Sequence, residues 1–229
     1  MPNFKRFEDT IGCVFKDGRL LMQAFTHRSY LNENRAEGRE HNERLEFLGD
    51  AILELIVTEF LYQKYPEKPE GELTSLRAAL VNTQSISAAA SALGMNEYLL
   101  LSRGETRDVG RARQIILANA FEALIGAIYL DQGYEAAKNF ISRQLFHKTD
   151  EVVEKRLWQD AKSRFQEIAQ ERVGVTPRYD VVGQSGPDHD KTFVTGVYLG
   201  SERVASGEGP SKQEAEQDAA QKALVAKSW

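Results

Sequence analysis

The chain has 229 residues, 41% of them hydrophobic, with 29 Lys+Arg against 34 Asp+Glu for a net charge of −5. That length can bury one large core or a medium and a small one, and two domains is the better fit. One cysteine, Cys13, excludes an intrachain disulfide framework, and it forms no zinc-spaced cluster with the four histidines His27, His41, His147 and His189. The cysteine count favours a reducing, cytoplasmic setting. Residues 1–16 hold no signal-peptide core, and no run approaches the roughly 18 apolar residues of a membrane span, so no membrane partner is expected. The acidic total argues only weakly against a nucleic-acid partner, since a local basic face can coexist with it.

From Phe4 to about His147 the pattern reads as helix after helix, with turn signals over residues 12–18, 32–38, 66–71, 93–96 and 103–110. No stretch there alternates convincingly at period two, so the first domain is expected to be all α. The first notable segment is Glu43-Arg44-Leu45-Glu46-Phe47-Leu48-Gly49-Asp50. On a helix Glu43, Glu46 and Asp50 share one face, while Leu45, Leu48, Ile52 and Leu55 form another. The helix continues through Ala51 to Val57 and is apolar enough to be mostly buried, where unpaired carboxylates are costly. Pro66 and Pro69 end it after Tyr65, and a further helix is predicted over residues 73–93.

Residues 114–130 are helical and apolar nearly all round, which suits a bundle centre or a subunit interface. Glu122 is the only charged residue between Arg113 and Asp131. Asn119 lies three residues before it and Gly126 four after, so one stripe carries two oxygen-bearing side chains beside a position that permits close backbone approach. An ion pair with an arginine is the ordinary fate of such a glutamate. Taken with Glu46 and Asp50, a metal site is favoured. Oxygen donors without His or Cys point to Mg²⁺ or Mn²⁺ rather than zinc. No histidine has a Glu three residues before it, against a di-iron bundle. No Gly-x-x-x-x-Gly-Lys-Ser/Thr loop is present, so no nucleotide cofactor is expected. Carboxylate-held Mg²⁺ is typical of nuclease sites, which makes phosphodiester hydrolysis the sharper reading.

The texture changes after His147, and residues 149–157 read as a linker between domains at 1–148 and 158–227. The second domain is predicted as α-β-β-β-α: a helix over 160–172, strands near 178–182, 191–199 and 203–206, and a helix from Ser211. The middle strand sets Phe193, Thr195, Val197 and Leu199 on one face and Val194 and Tyr198 on the other. Ala215, Ala219, Ala223 and Ala226 form a stripe that lets the last helix lie close to a sheet. From Trp158 onward there are nine Lys/Arg and eleven Asp/Glu.

The octapeptide, the following Ala51-Ile52-Leu53, and Ile116-Leu117-Ala118-Asn119-Ala120-Phe121-Glu122-Ala123-Leu124-Ile125-Gly126 resemble the signature segments of bacterial ribonuclease III. The resemblance spans essentially the whole chain, including Thr26-His27-Arg28-Ser29-Tyr30 and the αβββα end. It implies a multidomain protein, an all-α endonuclease domain followed by a small α+β double-stranded RNA-binding domain. The implied activity is Mg²⁺-dependent cleavage of double-stranded RNA by a homodimer, with Mn²⁺ able to substitute. Implied products carry 5′ phosphates and two-nucleotide 3′ overhangs, and implied roles lie in processing ribosomal, messenger and transfer RNA precursors. Glu46, Asp50, Asn119 and Glu122 would hold the metal, Asp50 and Glu122 would be catalytic, and Glu43 and Glu70 would line the cleft. The family often has Asp where this chain has Asn119. That change admits three readings: a tolerated variant, a shift in metal dependence, or an inactivating substitution that leaves a cleavage-impaired RNA-binding protein.

In the second domain, residues 186–193 and 209–220 resemble the double-stranded RNA-binding domain. Ser211 is a plausible N-cap, and the helix N-terminus with Lys212 in its first turn suits phosphate. The resemblance implies that Lys212 and neighbouring Ser211 meet phosphates while Gln166, Glu167 and the His189 loop reach 2′-hydroxyls in successive minor grooves, with Lys191 also among the RNA-binding residues. Taken alone, Lys212 would be a solvated lysine paired with Glu216, and His189 an ordinary loop histidine. Gln213 stands where the family commonly has a second lysine, which weakens the phosphate grip.

Overall fold

The structure, a computed structural model, describes residues 2–34, 40–107, 110–154, 160–187 and 191–229. Contacts divide the chain into two compact units, Met1–Trp158 and Gln159–Trp229. Among the described residues the first unit is helical: α1 Phe4–Ile11, α2 Gly18–Ala24, α3 Arg28–Glu33, α4 Glu43–Lys64, α5 Glu70–Val81, α6 Thr83–Ala92, α7 Arg111–Gln132, α8 Tyr134–Leu145 and α9 Thr149–Glu154. Short 3₁₀ turns lie at Met95–Glu97, Glu105–Arg107 and Phe146–Lys148.

The single helix expected over residues 73–93 is two. At Asn82 the backbone turns extended (φ −68°, ψ 159°) and the side-chain oxygen accepts from Ser85 N–H at 2.9 Å, so the amide ends α5 and caps α6. The Thr26-His27-Arg28-Ser29-Tyr30 motif is structural. Thr26 forms a parallel bridge with Leu100, and Ser29 Oγ accepts from Ser102 N–H at 3.1 Å, which pins the segment that leads toward α7. Buried Asn42 then ties the start of α4 to the same region through Asn42 N–H to Thr26 O at 2.9 Å and Nδ2 to Ala24 O at 3.2 Å.

The core is built around α4 and α7, which make the most extensive helix pair. Phe121, Leu124, Ile125 and Ile128 of α7 and Leu53, Ile56 and Val57 of α4 are fully buried. Two glycines set their spacing. A Cβ on Gly49 would stand 1.7 Å from Glu122 O, and one on Gly126 would stand 2.3 Å from Leu45 O, so the two backbones are in contact. By length and composition alone α7 could cross a bilayer, but it is mostly buried among the other helices, as the central helix of a bundle is. Leu55, expected on the buried face of α4, is 57% exposed.

The expected linker begins as helix α9. Thr149 is fully buried, Asp150 receives Lys64 Nζ at 2.5 Å, and Phe146 stacks on Phe60 at 3.7 Å between centroids. Charges that read as solvated linker therefore close the first unit. The rest of the expected linker, residues 155–157, lies outside the described residues.

The second unit runs α10 Ala161–Val173, β1 Arg178–Ser185, β2 Thr192–Leu199, β3 Glu202–Gly209 and α11 Lys212–Lys227, with an antiparallel sheet in the order β1-β2-β3. β1 and β3 each run longer than expected. Thr195 and Val197 are buried and Leu199 packs on the core, while on the opposite face the Tyr198 ring covers Gly196. That cover explains why β2 did not read as a clean alternation. A Cβ on Gly207 would stand 2.1 Å from Ala219 N, so β3 rests directly on the alanine stripe of α11. Ala215, Ala219 and Ala223 are buried as expected; Ala226 is exposed, and Ala220 is buried in its stead.

Replacing Gly126 or Gly49 by Ala should force α4 and α7 apart and lower stability by about 3 kcal/mol or more. Gly71→Ala, at an exposed α5 position with nothing within 4 Å of the added methyl, should be neutral or slightly stabilising. Urea unfolding of the three variants measures this contrast.

Candidate active site and nucleic-acid interface

The glycine contact places one stripe of α4, carrying Glu46 and Asp50, against the α7 stripe of Asn119 and Glu122. Glu46, Asn119 and Glu122 are half-buried and Asp50 is exposed at the rim. The flanking acids of α4 have cations: Glu43 meets Arg28 at 3.5 Å and Glu54 meets Arg77 at 2.8 Å. Among the described residues no Lys or Arg pairs with Glu46, Asp50 or Glu122, so the ordinary ion-pair reading of Glu122 is set aside.

The three carboxylates act on one another instead. Burial, then the charges of Asp50 and Glu46, raises the Glu122 carboxyl to about 7. Burial, then the charge of Glu43, raises Glu46 as well, with Asp50 adding to it and a hydrogen bond from Asn119 opposing it. Such a cluster, short of positive charge, is chemically suited to a hard divalent ion. Among the described residues no three His, Cys, Asp or Glu side chains stand at metal-ligand spacing. Mutual repulsion favours spread carboxylates, and one of the four candidate donors is an amide.

Two further candidates do not join them. Glu43 is exposed at the first residue of α4, held by Arg28 and 3.7 Å from His41 Nδ1. Glu70 opens α5, where it accepts from Thr74 Oγ1 at 2.9 Å and borders a cavity with Tyr62 and Arg77. Phe47, Leu55 and Tyr62 escaped the sequence reading. They are 82, 57 and 73% exposed on one face of α4 and run along a single stripe with Ala51 and Thr58. Their spacings of eight and seven residues, about two helical turns each, are visible in the sequence, but a helix apolar on most sides gives no sign of which side meets solvent.

In the second unit Ser211 caps the N-terminus of α11. Its Oγ accepts from Glu214 N–H at 3.2 Å and donates to Glu214 Oε2 at 3.1 Å. Lys212 is exposed in the first turn of α11, and Glu216, its expected partner, pairs with Lys162 of α10 at 2.6 Å. Gln217 Nε2 also donates to Asp160 Oδ1 at 2.9 Å, so the N-terminal turns of α10 and α11 lie together. Gln166 and Glu167 are exposed on α10, where they line a shallow concavity with Ser163 and Gln170. Lys191 is half-buried just before β2; His189 lies outside the described residues.

Residues 17–149 match the family model "Ribonuclease-III-like" and residues 161–225 match "Double-stranded RNA binding motif". The ribonuclease 3 of Geobacillus kaustophilus is 47% identical over 221 residues, covering 96% of this chain and 89% of the relative. That of Enterococcus faecalis is 47% identical over 217 residues, covering 95% and 94%. Two solved structures of the nuclease domain of Campylobacter jejuni ribonuclease III, one described as having a flexible region involved in dimer formation, superpose with TM-scores of 0.56. They are 40 and 42% identical, covering 62 and 63% of this chain and 98 and 94% of theirs.

With its folded-state pKa near 7 against an ordinary 4.5, Glu122 holds an extra proton in the folded state between those values. The metal-free fold therefore loses stability as pH rises from about 4.5 to about 7 and does not regain it above. Glu122→Gln lacks this loss, so without divalent ions it should melt above the wild type at pH 8 and close to it at pH 4.5. Melting curves at both values provide the check.

Proposed function

Because the chain belongs to the ribonuclease III family and is an endoribonuclease acting on double-stranded RNA, we propose that it does so with Mg²⁺ held by Glu46, Asp50, Asn119 and Glu122. Mn²⁺ is the expected substitute. The family is generally metal-dependent, and the observation that carries the reading here is the cluster of carboxylates that no cationic side chain among the described residues pairs with. When bound, the ion supplies Lewis-acid chemistry, offsetting charge that develops on the scissile phosphate and easing ionisation of the attacking water. The chain's own contribution is position. The Gly49–Gly126 contact holds the acids of α4 and α7 side by side, and buried Leu45 and Ile52 hold Glu46 and Asp50 on their side of α4. Asp50 and Glu122 are the proposed catalytic pair, with Glu122 partly protonated near neutral pH until a cation offsets its neighbours. Glu43 and Glu70 are proposed to line the cleft.

A homodimer fits the exposed α4 stripe. Phe47, Leu55 and Tyr62 form a linear apolar face beside the acids, and a two-fold axis across it would pair one patch with its copy. Two centres related in this way would cut the two strands at staggered positions, which accounts for the proposed two-nucleotide 3′ overhangs; the proposed 5′-phosphate ends follow if the 3′ oxygen is the leaving group at each centre. The second unit binds double-stranded RNA. Its proposed contacts are Ser211, Lys212 and Lys191 to phosphate, and Gln166, Glu167 and His189 to the minor groove. Recognition is then by duplex shape, and affinity falls with salt. The proposed setting is the cytoplasm, with ribosomal, messenger and transfer RNA precursors as substrates.

A labelled RNA duplex incubated with Mg²⁺ should give short staggered fragments, and none with chelator. Asp50→Asn and Glu122→Gln should each lower the cleavage rate about a hundredfold or more while still retarding the duplex on a gel. A retarded but intact duplex at saturating Mg²⁺ in the wild type would mark a binding protein instead. In sedimentation, Phe47→Asp should shift the chain from dimer to monomer; a wild-type monomer would remove the two-centre model.

A further inference from the structure

Of the four oxygen-bearing side chains that α4 and α7 bring together, three are carboxylates and one, Asn119, is an amide. The helices are held in backbone contact at Gly49 and Gly126, and moving them apart to dilute the charge would open the packed core of Leu53, Ile56, Phe121 and Leu124 around that contact. No Lys or Arg among the described residues neutralises Glu46, Asp50 or Glu122, although Glu43 and Glu54 on the same helix each have an arginine. Buried Ala118 and Ala120 flank Asn119 and fix it at the seam, where its amide lies toward Glu46 and favours that carboxylate's charged form. A carboxylate at this position would replace that donor with an acceptor facing other acceptors in a half-buried site, where solvent screens poorly.

We infer that Asn119 is the charge-relief residue of the site: its amide lets α4 and α7 close over three unpaired carboxylates without an ion, at the cost of weaker divalent binding than a fourth carboxylate would give. This rests on the metal reading of the site, but its two halves separate. Closure without an ion is a property of the metal-free fold, whereas weaker binding is a property of the loaded one. The design suits an enzyme that folds first and takes up its ion afterwards, with metal occupancy responsive to concentration.

The test compares wild type, Asn119→Asp and Asn119→Ala in the full chain, by calorimetric titration with Mg²⁺ and separately Mn²⁺, and by melting in chelator. Asn119→Asp should bind the ion about tenfold more tightly, and its nuclease domain should melt about 2–4 °C below wild type in chelator. Asn119→Ala, which loses the hydrogen bond without adding charge, should bind no more tightly than wild type. If Asn119→Asp folds only when Mn²⁺ is supplied, that is the same destabilisation at its limit. Equal or weaker ion binding by Asn119→Asp, beside a wild type that binds, overturns the affinity half. An unchanged or higher melting point for it in chelator overturns the charge-relief half. Wild type that takes up neither ion defeats the metal reading itself, and the chelator melts still decide whether Asn119 relieves charge.

Discussion

Where Gly49 of α4 meets Glu122 and Gly126 of α7, two helix backbones touch, and the rest of the site is arranged by that contact. Any side chain at either glycine would occupy the space of a main-chain atom. The contact lets half-buried Glu46, Asn119 and Glu122 face one another across the seam while Leu45, Ile52, Phe121 and Ile125 pack behind them. Side chains anchored in this way have little freedom to drift, which is the condition for a metal or transition-state charge to be met without reorganisation.

Close approach also concentrates negative charge. Glu122 is pushed to about 7 and Glu46 is raised, so the site stores repulsion that a divalent ion would convert into binding energy. The arginines of this region stand to either side of the acids, on Glu43 and Glu54. An arginine placed directly on Glu122 would have stabilised the metal-free fold more effectively, but it would also have competed with any cation. Relief by an amide leaves the carboxylates open.

The second unit faces a different constraint, since a double-stranded RNA binding motif here belongs to a chain of net charge −5. The alanine stripe of α11 presses on Gly207 of β3, which fixes the helix axis against the sheet. Ser211 and Glu214 occupy each other at the helix cap, and Glu216 is drawn to Lys162, so Lys212 projects without a partner among the described residues. An acidic total charge is thereby compatible with a local cationic point at a helix N-terminus.

The α-only first domain and the αβββα second domain were legible in the sequence, and helical spacing with the scarcity of charge in residues 114–130 also marks out Glu46, Asp50, Asn119 and Glu122, whose stripes the fold sets side by side. The Asn82 break was missed, since an asparagine that caps the next helix looks like one inside a helix. Helix α9 was taken for linker because its charges carry no sign of the Lys64 and Phe60 contacts that hold it. Periodicity is a property of one segment, so the sequence by itself determined which residues share a face. Which face is buried depends on what the fold brings against it. Only the tertiary structure decided that Leu55 and Phe47 lie outside while Gly49 and Gly126 meet inside, and that among the described residues no cationic side chain pairs with Glu122.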